Sequence, residues 1–482
     1  MKPVLTRAEM GSVDAAAATA EPFEAIVGRA GDAVARTARH LLGGAYGRRV
    51  VVVAGRGHNG DDGRVAAAIL RRRGARVLVV APGELELPAC DLVVDAAYGT
   101  GFRGSYTAPA APAGRLGRRP LVLAVDIATG VDADTGEACA GAVRADATVT
   151  FGALKPGLLL GDGPEHSGHV VLAPIGLPVA AVRAATRLVE DADVAASWVP
   201  RKRSGHKWDS AVYVVAGSPG MLGSAALVAS GAQRAGAGMV RLASPGVVPG
   251  TVPVTEAVAR RLPPTDWAVP VLDDLGRSRA LVLGPGLGAT PETTQAVRRL
   301  VAEVAVPIVL DADGLNALGT LDEAVRVLAS RRAPLVMTPH DGEYARLVGS
   351  QPGPDRLSAA RDLARRARAV VLLKGPATIV ATPDGDATIV VSGSQRLSTA
   401  GTGDVLAGVV GALLASGIAP DGAAALAAHV HGRAASRGLA SGLVAGDLPR
   451  LVAEVLGELA REGPGPLDLV EVGPGDARVR RL

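Results

Sequence analysis

Two glycine-rich stretches and a few acids at the ends of apolar runs hold most of the chemistry this sequence offers. The first stretch is Gly55-Arg56-Gly57-His58-Asn59-Gly60-Asp61-Asp62-Gly63. It follows an apolar run and opens a helical pattern, and Gly55, Gly57 and Gly60 satisfy G-x-G-x-x-G. A dinucleotide fingerprint also needs an acid about 20 residues on to hold a ribose. Here the next run ends Val79-Val80-Ala81-Pro82-Gly83, with no acid at its tip. Asp61 and Asp62 stand at the helix start, where a pyrophosphate wants bare amides. The loop is therefore not an ordinary dehydrogenase site, and either Asp also suits a helix cap. Asp95 and Asp126 each close an apolar run. Glycine-bearing segments follow them, Gly99-Thr100-Gly101-Phe102-Arg103-Gly104-Ser105 and Ile127 to Asp134. Ligands of open parallel sheets bind at the carboxyl ends of strands. A glycine loop and two strand-end carboxylates at one edge can hold a ligand, a cation and a proton-transfer group. Each Asp can equally end a strand and cap a turn.

The second stretch, Ser398-Thr399-Ala400-Gly401-Thr402-Gly403-Asp404, leads into a helical pattern over Val405–Ser416. Small residues let backbone amides close on an anion, and the helix dipole adds to the attraction. An Asp at that point can take a proton from a hydroxyl while the amides hold a phosphoryl group. It can also be only an N-cap. No G-x-x-x-x-G-K-[ST] occurs, so nucleotide phosphates have no P-loop to sit in. Gly284–Gly288, Leu310–Asn316, Thr338–Glu343 and Lys374-Gly375-Pro376-Ala377-Thr378 each follow an apolar run. Polar groups gathered at one sheet edge describe a pocket. The pairs Asp132/Asp134 and Asp311/Asp313 lack the rest of a calcium loop, and His166 and His169 have no neighbouring ligand cluster for zinc.

Positioning these groups takes two series of elements. At 482 residues the chain is long enough for two or three domains. Arg7–Leu42 reads as one or two Ala-rich helices. Short Val-rich runs then alternate with helical stretches: Val50–Ala54, Arg76–Val80, Asp91–Asp95, Leu121–Asp126, Ala147–Phe151 and His169–Leu172. Such runs predict buried parallel strands in βαβ units. A boundary is expected near residue 190, giving domains 1–190 and 191–482. The second series is Ala211–Ala216, Gly238–Ala243, Ala280–Leu283, Pro307–Leu310, Leu335–Thr338, Val370–Leu373, Thr378–Ala381 and Thr388–Val391. Helices over Val405–Ser416 and Ala423–Ser436 close it, and the Gly/Pro-rich tail after Gly463 reads as loose.

Composition narrows the partners. Lys+Arg 51 against Asp+Glu 47 is nearly balanced, and the clusters Arg71–Arg73 and Arg201–Arg203 are short, so no nucleic-acid surface is expected. Aromatics at 2% argue against base stacking. Cys90 and Cys139 make neither a disulfide framework nor a zinc site, which fits a reducing cytoplasm. The N-terminus lacks a signal-peptide apolar run. The stretch Leu406–Val430 is broken by Gly417, Pro420 and Asp421, so no membrane span is expected. Only five residues are Lys (2, 155, 202, 207 and 374), and three of these fall inside motifs.

The ordered series GRGHNGDDG, VDAAYGTGFRGS, VDIATGVDADTG and FGALKPGL resembles the NAD(P)H-hydrate epimerase domain over residues 1 to about 175. The resemblance implies that His58, Asn59, Gly60, Asp61 and Asp62, with Gly99 to Ser105 and Asp126, bind the hydrated nicotinamide nucleotide. It implies potassium among Asn59, Asp95 and Thr129, and proton transfer by Asp126. The family usually has Asn and Gly where this chain has His58 and Asp61, and Pro-Ser at Ala128-Thr129. The later series SGHKW, VAGSPGMLGSAAL, GPGLG, LDADGLN, TPHDGE, LKGPAT and AGTGDVLAG resembles the ADP- or ATP-dependent NAD(P)H-hydrate dehydratase, a ribokinase-like fold, from about Trp198 to Leu456. It implies substrate contacts at Ser224, Gly288, His340 and Asp404. It implies an adenine nucleotide, with Mg²⁺, at Lys374, Gly375, Pro376, Ala377, Thr378 and Gly403. Asp404 would be the catalytic base. Trp208, Ser224 and Asp341 depart from the usual Gly, Ala and Pro.

The expected protein is thus α/β throughout, a Rossmann-like three-layer domain followed by a ribokinase-like domain. It would epimerise R and S hydrates of NADH and NADPH, dehydrate the S form, and assemble as a cytoplasmic homo-oligomer. One alternative is a small-molecule kinase fused to a Rossmann-like regulatory domain. Another leaves the first half as a non-catalytic binding module.

Overall fold

The computed structural model describes residues 1–112, 117–198 and 204–459. The short cluster Arg201–Arg203 and the tail after Gly463 lie outside the described residues. The chain divides into two compact units between Thr186 and Arg187.

In the first unit, helices α1 (Arg7–Ala20) and α2 (Phe23–Leu42) precede the strands. Thr6 and Glu9 form a reciprocal cap that fixes the start of α1. The strands are β1 (Arg49–Ala54), β2 (Arg76–Val80), β3 (Leu92–Ala96), β4 (Leu121–Val125), β5 (Ala147–Phe151) and β6 (His169–Ala173), with α3 (His58–Arg72) between β1 and β2. They pair in the order β2-β1-β3-β4-β5-β6, every pair parallel. Val50, Val52, Leu92, Val94, Leu123 and Val149 bury against α2 and α3. The alternate residues Val51, Val53 and Val93 bury on the other face. Burial on both faces is why these runs are apolar throughout rather than alternating. Arg7–Leu42 is two helices, since Glu21 leaves the helical conformation and Pro22 caps the second.

The second unit carries β7 (Ala211–Val215), α4 (Leu222–Arg234), β8 (Met239–Pro245), β9 (Val258–Leu262), β10 (Ala280–Leu283), β11 (Ile308–Leu310) and β12 (Leu335–Met337). Helix α5 (Asp341–Val348), β13 (Val370–Leu373), β14 (Thr378–Ala381), β15 (Ala387–Val390), α6 (Thr402–Ala415) and α7 (Pro420–Arg437) follow. These strands run side by side as β15-β14-β13-β12-β11-β10-β7-β8-β9. From β13 to β9 all pairs are parallel, and β13-β14-β15 are antiparallel. Helix α6 starts three residues before its expected position, because Gly401 takes φ +90° and turns the chain into it. Nearly the whole of α6 is buried, packed against α4, α7 and the sheet. Among the described residues no helix is long and apolar enough to cross a membrane.

Candidate active sites

Both sheets reverse strand order once, and each reversal opens a crevice at the carboxyl edge, where open α/β sheets bind ligands. In the first unit the crevice lies between β1 and β3. The glycine loop leaves β1 there, and Gly55 donates its N–H to Ala96 O at 3.0 Å. A Cβ on Gly55 would meet Ala97 O at 2.0 Å, so the two loops pack backbone to backbone. Beside them lies a cavity of about 540 Å³. His58, Asn59, Asp62, Gly99, Thr100, Gly101, Phe102 and Asp126 line it, together with Asp14 from α1 and Lys155.

Asp126 follows β4 with φ +68°, a conformation that Asp tolerates better than most residues. Its Oδ1 accepts from Lys155 Nζ at 2.5 Å and from Thr150 Oγ1 at 3.2 Å. Lys155 is almost wholly buried and also donates to Thr150 Oγ1 and Phe151 O, at 2.9 and 3.0 Å. Burial raises the Asp14 carboxyl above the ordinary range, against the nearby Lys155 ammonium. Asp95 is buried. Its oxygens accept from Thr129 N at 2.8 Å, Thr129 Oγ1 at 2.7 Å and Ala97 N at 3.3 Å. No cationic side chain among the described residues pairs with it, and burial pushes it up to about 6 despite those bonds. Thr129 Oγ1 also bonds the backbone of Tyr98 at 3.1 Å, and the Asn59 amide lies beside Gly99 with a buried, unpartnered nitrogen.

Other residues of the implied set lie off the cavity wall. Gly60 packs against the Gly55 backbone. Asp61 turns to Arg64 at 2.9 Å. Arg103 pairs with Asp132 at 3.0 Å, and Gly104 and Ser105 follow it beyond the lining.

In the second unit the crevice lies between β7 and β10. Gly217 N donates to Pro285 O at 2.7 Å, and Ser218 Oγ to Gly286 O at 2.9 Å, tying the two loops together. The next three strands set polar groups along the same edge: Asp311 after β11, Thr338 after β12 and Lys374 after β13. Asp311 Oδ1 accepts from Lys374 Nζ at 2.6 Å and from Thr338 Oγ1 at 2.7 Å. Burial works against the Lys374 ammonium, but Asp311, Glu343 and Asp404 hold it above its ordinary value. A Cβ on Gly403 would stand 3.3 Å from Lys374 Nζ and 3.9 Å from Asp311 Oδ2, so the first turn of α6 faces this pair. Asp404, in that turn, is bonded to Ser224 on α4. Burial pushes it up to about 6, opposed by Ser224 and Lys374 and aided by Asp311 and Asp313. Gly288 N donates to Asp313 Oδ2 at 2.8 Å. His340 is half-exposed and caps α5, its Nδ1 accepting from Gly342 N at 2.9 Å. Arg356 pairs with Asp341 at 2.8 Å and donates to Lys374 O at 2.8 Å, which fixes the start of the Lys374–Thr378 loop.

Lys155 and Asp14 join the first site without a role having been read for them from sequence, whereas Asp311 and Thr338 fall in strand-end segments expected to line the second pocket but without an individual role there. The scarcity of Lys and the place of Lys155 in FGALKPGL were the signals available for it. Trp208 lies at the opposite, amino-terminal edge of the sheet. It precedes β7 and stacks beneath Arg277 at 5.1 Å, so its departure from the usual Gly does not touch the site.

Comparison with known proteins agrees with both halves. Residues 212–457 match the NAD(P)H-hydrate dehydratase family, and residues 24–88 and 81–157 match the family described as YjeF-related protein N-terminus. A bifunctional NAD(P)H-hydrate repair enzyme of Moorella thermoacetica is 37% identical, covering 95% of this chain and 97% of that one. One from Mycobacterium tuberculosis is 40% identical over 80% and 82% of the two chains. Among solved structures, the ADP/ATP-dependent NAD(P)H-hydrate dehydratase from Bacillus subtilis, co-crystallised with ATP/Mg²⁺, is 30% identical with a TM-score of 0.50. It covers 57% of this chain and 98% of that one. A ribokinase-like superfamily protein from Enterococcus faecalis, 17% identical with a TM-score of 0.50 over 58% and 98% of the two chains, shares the fold. With relatives aligned over nearly their whole length and both family matches in the same order, the chain belongs to the family of bifunctional NAD(P)H-hydrate repair enzymes.

Proposed function

We propose that residues 1–190 epimerise the R and S hydrates of NADH and NADPH, and that residues 191–482 dehydrate the S hydrate at the expense of ADP or ATP. The observation that carries this is Asp404. It stands in the first turn of α6, bonded to Ser224 and beside the Lys374–Asp311 pair, where helix amides and a cation suit a phosphoryl group. In the dehydratase, Asp404 takes the proton of the substrate hydroxyl, whose oxygen attacks the terminal phosphoryl group. The shortened nucleotide leaves, and loss of phosphate with a neighbouring ring proton restores the double bond. Lys374 and the amides around Gly403 stabilise the transferring charge. Mg²⁺, when bound with the nucleotide, offsets phosphate charge. Asp311 Oδ2, which faces Gly403 and accepts no hydrogen bond among the described residues, is the oxygen that would hold it. Ser224, Gly288 and His340 border the hydrated ring, and Gly375 to Thr378 the adenine nucleotide.

In the epimerase, Asp126 moves the hydroxyl proton. His58, Asn59, Asp62 and Gly99–Phe102 hold the nucleotide. Oxygens of Asn59, Asp95 and Thr129 would hold potassium, a hard cation suited to oxygen ligands. A buried carboxylate without a cationic partner supports that assignment. The proposal includes a cytoplasmic homo-oligomer that engages neither nucleic acid nor membrane. The test is incubation of purified protein with S hydrate and ADP or ATP, following recovery of the reduced-nicotinamide absorbance. A phosphorylated product without that absorbance would instead mean a kinase.

A further inference from the structure

Asp62 stands apart among the carboxyl groups of the first cavity. It lies in the first half of α3, is 7% exposed and lines the cavity shared with Asp126. Among the described residues no donor and no cation reaches its side chain. Asp126, by contrast, is bound by the Lys155 ammonium and by Thr150. Three carboxyl groups therefore line one ligand-sized space: Asp126 is held on the Lys155 ammonium, Asp14 feels the charge of that same ammonium, and Asp62 has neither a cation nor a donor among the described residues. An isolated buried carboxylate is costly as an ion, so a group in this position keeps its proton. The charged and titratable groups around it are Asp14 from α1, Arg56, His58 and Asp61 beside it in the loop and helix, and Asp126 and Lys155 across the cavity. Burial foremost, then Asp126, Asp61 and Asp14, pushes it up to about 8. Where surroundings pull the protonation of two acids apart, one is fitted to give a proton and the other to take one.

We propose that Asp62 is a second catalytic residue of the first unit, the general acid that works against Asp126 as general base. The proposal rests on the epimerase assignment made for that unit. Hydration of the reduced nicotinamide puts a hydroxyl on the ring carbon bonded to the ring nitrogen. Asp126 takes the hydroxyl proton, and the oxygen closes a carbonyl. The carbon–nitrogen bond breaks, its electron pair stays on nitrogen, and nitrogen takes the proton of Asp62. The carbonyl turns its other face and nitrogen adds back to the carbon. Asp62 recovers its proton from nitrogen, and Asp126 returns the other to oxygen. The ring is restored with inverted configuration, and nothing is oxidised, reduced or consumed.

The experiment uses the full chain, R hydrate as substrate, and S hydrate resolved by chromatography, at pH values on both sides of about 8. The acid is active while protonated, so the wild-type rate should fall as pH rises through that value. Asp62→Asn should lower the rate about 10²–10⁴-fold with little change in KM, and its residual rate should lack the alkaline fall. Asp62→Glu should restore part of the rate and the fall with it. Nucleotide-dependent dehydration of S hydrate by the same preparation reports that the chain is intact. Asp62→Asn turning over near the wild-type rate, or keeping the same alkaline fall, overturns the proposal. If Asp62→Asn does not fold, absence of the alkaline fall in both the wild type and Asp62→Glu overturns it. A wild-type chain that does not accelerate epimerisation at all overturns the epimerase assignment itself, a distinct result.

Discussion

Lys374→Met separates two roles that the geometry joins in one side chain. Lys374 Nζ lies 2.6 Å from Asp311 Oδ1, and the Asp311 side chain is 2% exposed. Removing the cation leaves a buried carboxylate with Thr338 as its one remaining side-chain donor among the described residues. Breaking a buried pair from one side typically costs about 3–5 kcal/mol. The Thr338 bond remains, so the lower end, about 3 kcal/mol, is expected here. For a unit of this size that is roughly 6–12 °C in melting temperature. Calorimetry without nucleotide, resolving the two units where they melt separately, reads this change. Titration of ADP or ATP reads the loss of affinity that follows from removing a cation beside Gly403. Lys374→Met with Asp311→Asn should recover most of the stability, because no uncompensated charge remains, while nucleotide affinity stays low. Unchanged melting in Lys374→Met would refute the view that Asp311 depends on this ammonium. Recovery of nucleotide affinity in the double variant would refute a direct role for Lys374.

Three further outcomes are expected. Asp404→Ala should lower nucleotide-dependent dehydration about 10²–10⁴-fold while nucleotide still binds, since the loop amides remain; near-wild-type turnover in a stopped assay would contradict its role as base. The base acts as carboxylate and its carboxyl is raised to about 6, so wild-type dehydration should fall as pH drops through that region and hold above it, as a pH series of kcat/KM would show. Replacing potassium by lithium should slow epimerisation, and Asp95→Asn should slow it and remove the difference between the two salts. A salt-independent wild-type rate would argue against Asn59, Asp95 and Thr129 as an ion site.

Much of this architecture is legible from the chain itself. Runs such as Val50–Ala54 and Val370–Leu373 are buried on both faces, so their apolar content marks them without help from periodicity. The glycine loops and strand-end acids are local signals that carry their own placement at the carboxyl edge. The edge strand β9 left no such mark. Val258-Ala259-Arg260-Arg261 is mostly exposed, and Arg260 is held by Asp274, so its residues look like loop. Pairings across the sheet were equally hidden. Asp311 and Lys374 are 63 residues apart, and Asp126 and Lys155 are 29 apart. No spacing rule links such pairs until the parallel sheet brings them together, across neighbouring strands for Asp126 and Lys155 and across the intervening β12 for Asp311 and Lys374. Asp14 sits in an Ala-rich helix where a lone carboxylate reads as solvated surface, and only the folding of α1 over the crevice places it at the cavity.

The most direct test of the two-site account is to give the full chain pure R hydrate with ADP or ATP and Mg²⁺ and to follow the reduced-nicotinamide absorbance. Both activities in one chain predict complete recovery, faster than spontaneous epimerisation allows, with none when nucleotide is omitted. Recovery limited to the spontaneous rate of epimerisation would contradict the role given to the first unit, and no recovery from either hydrate would contradict the account as a whole.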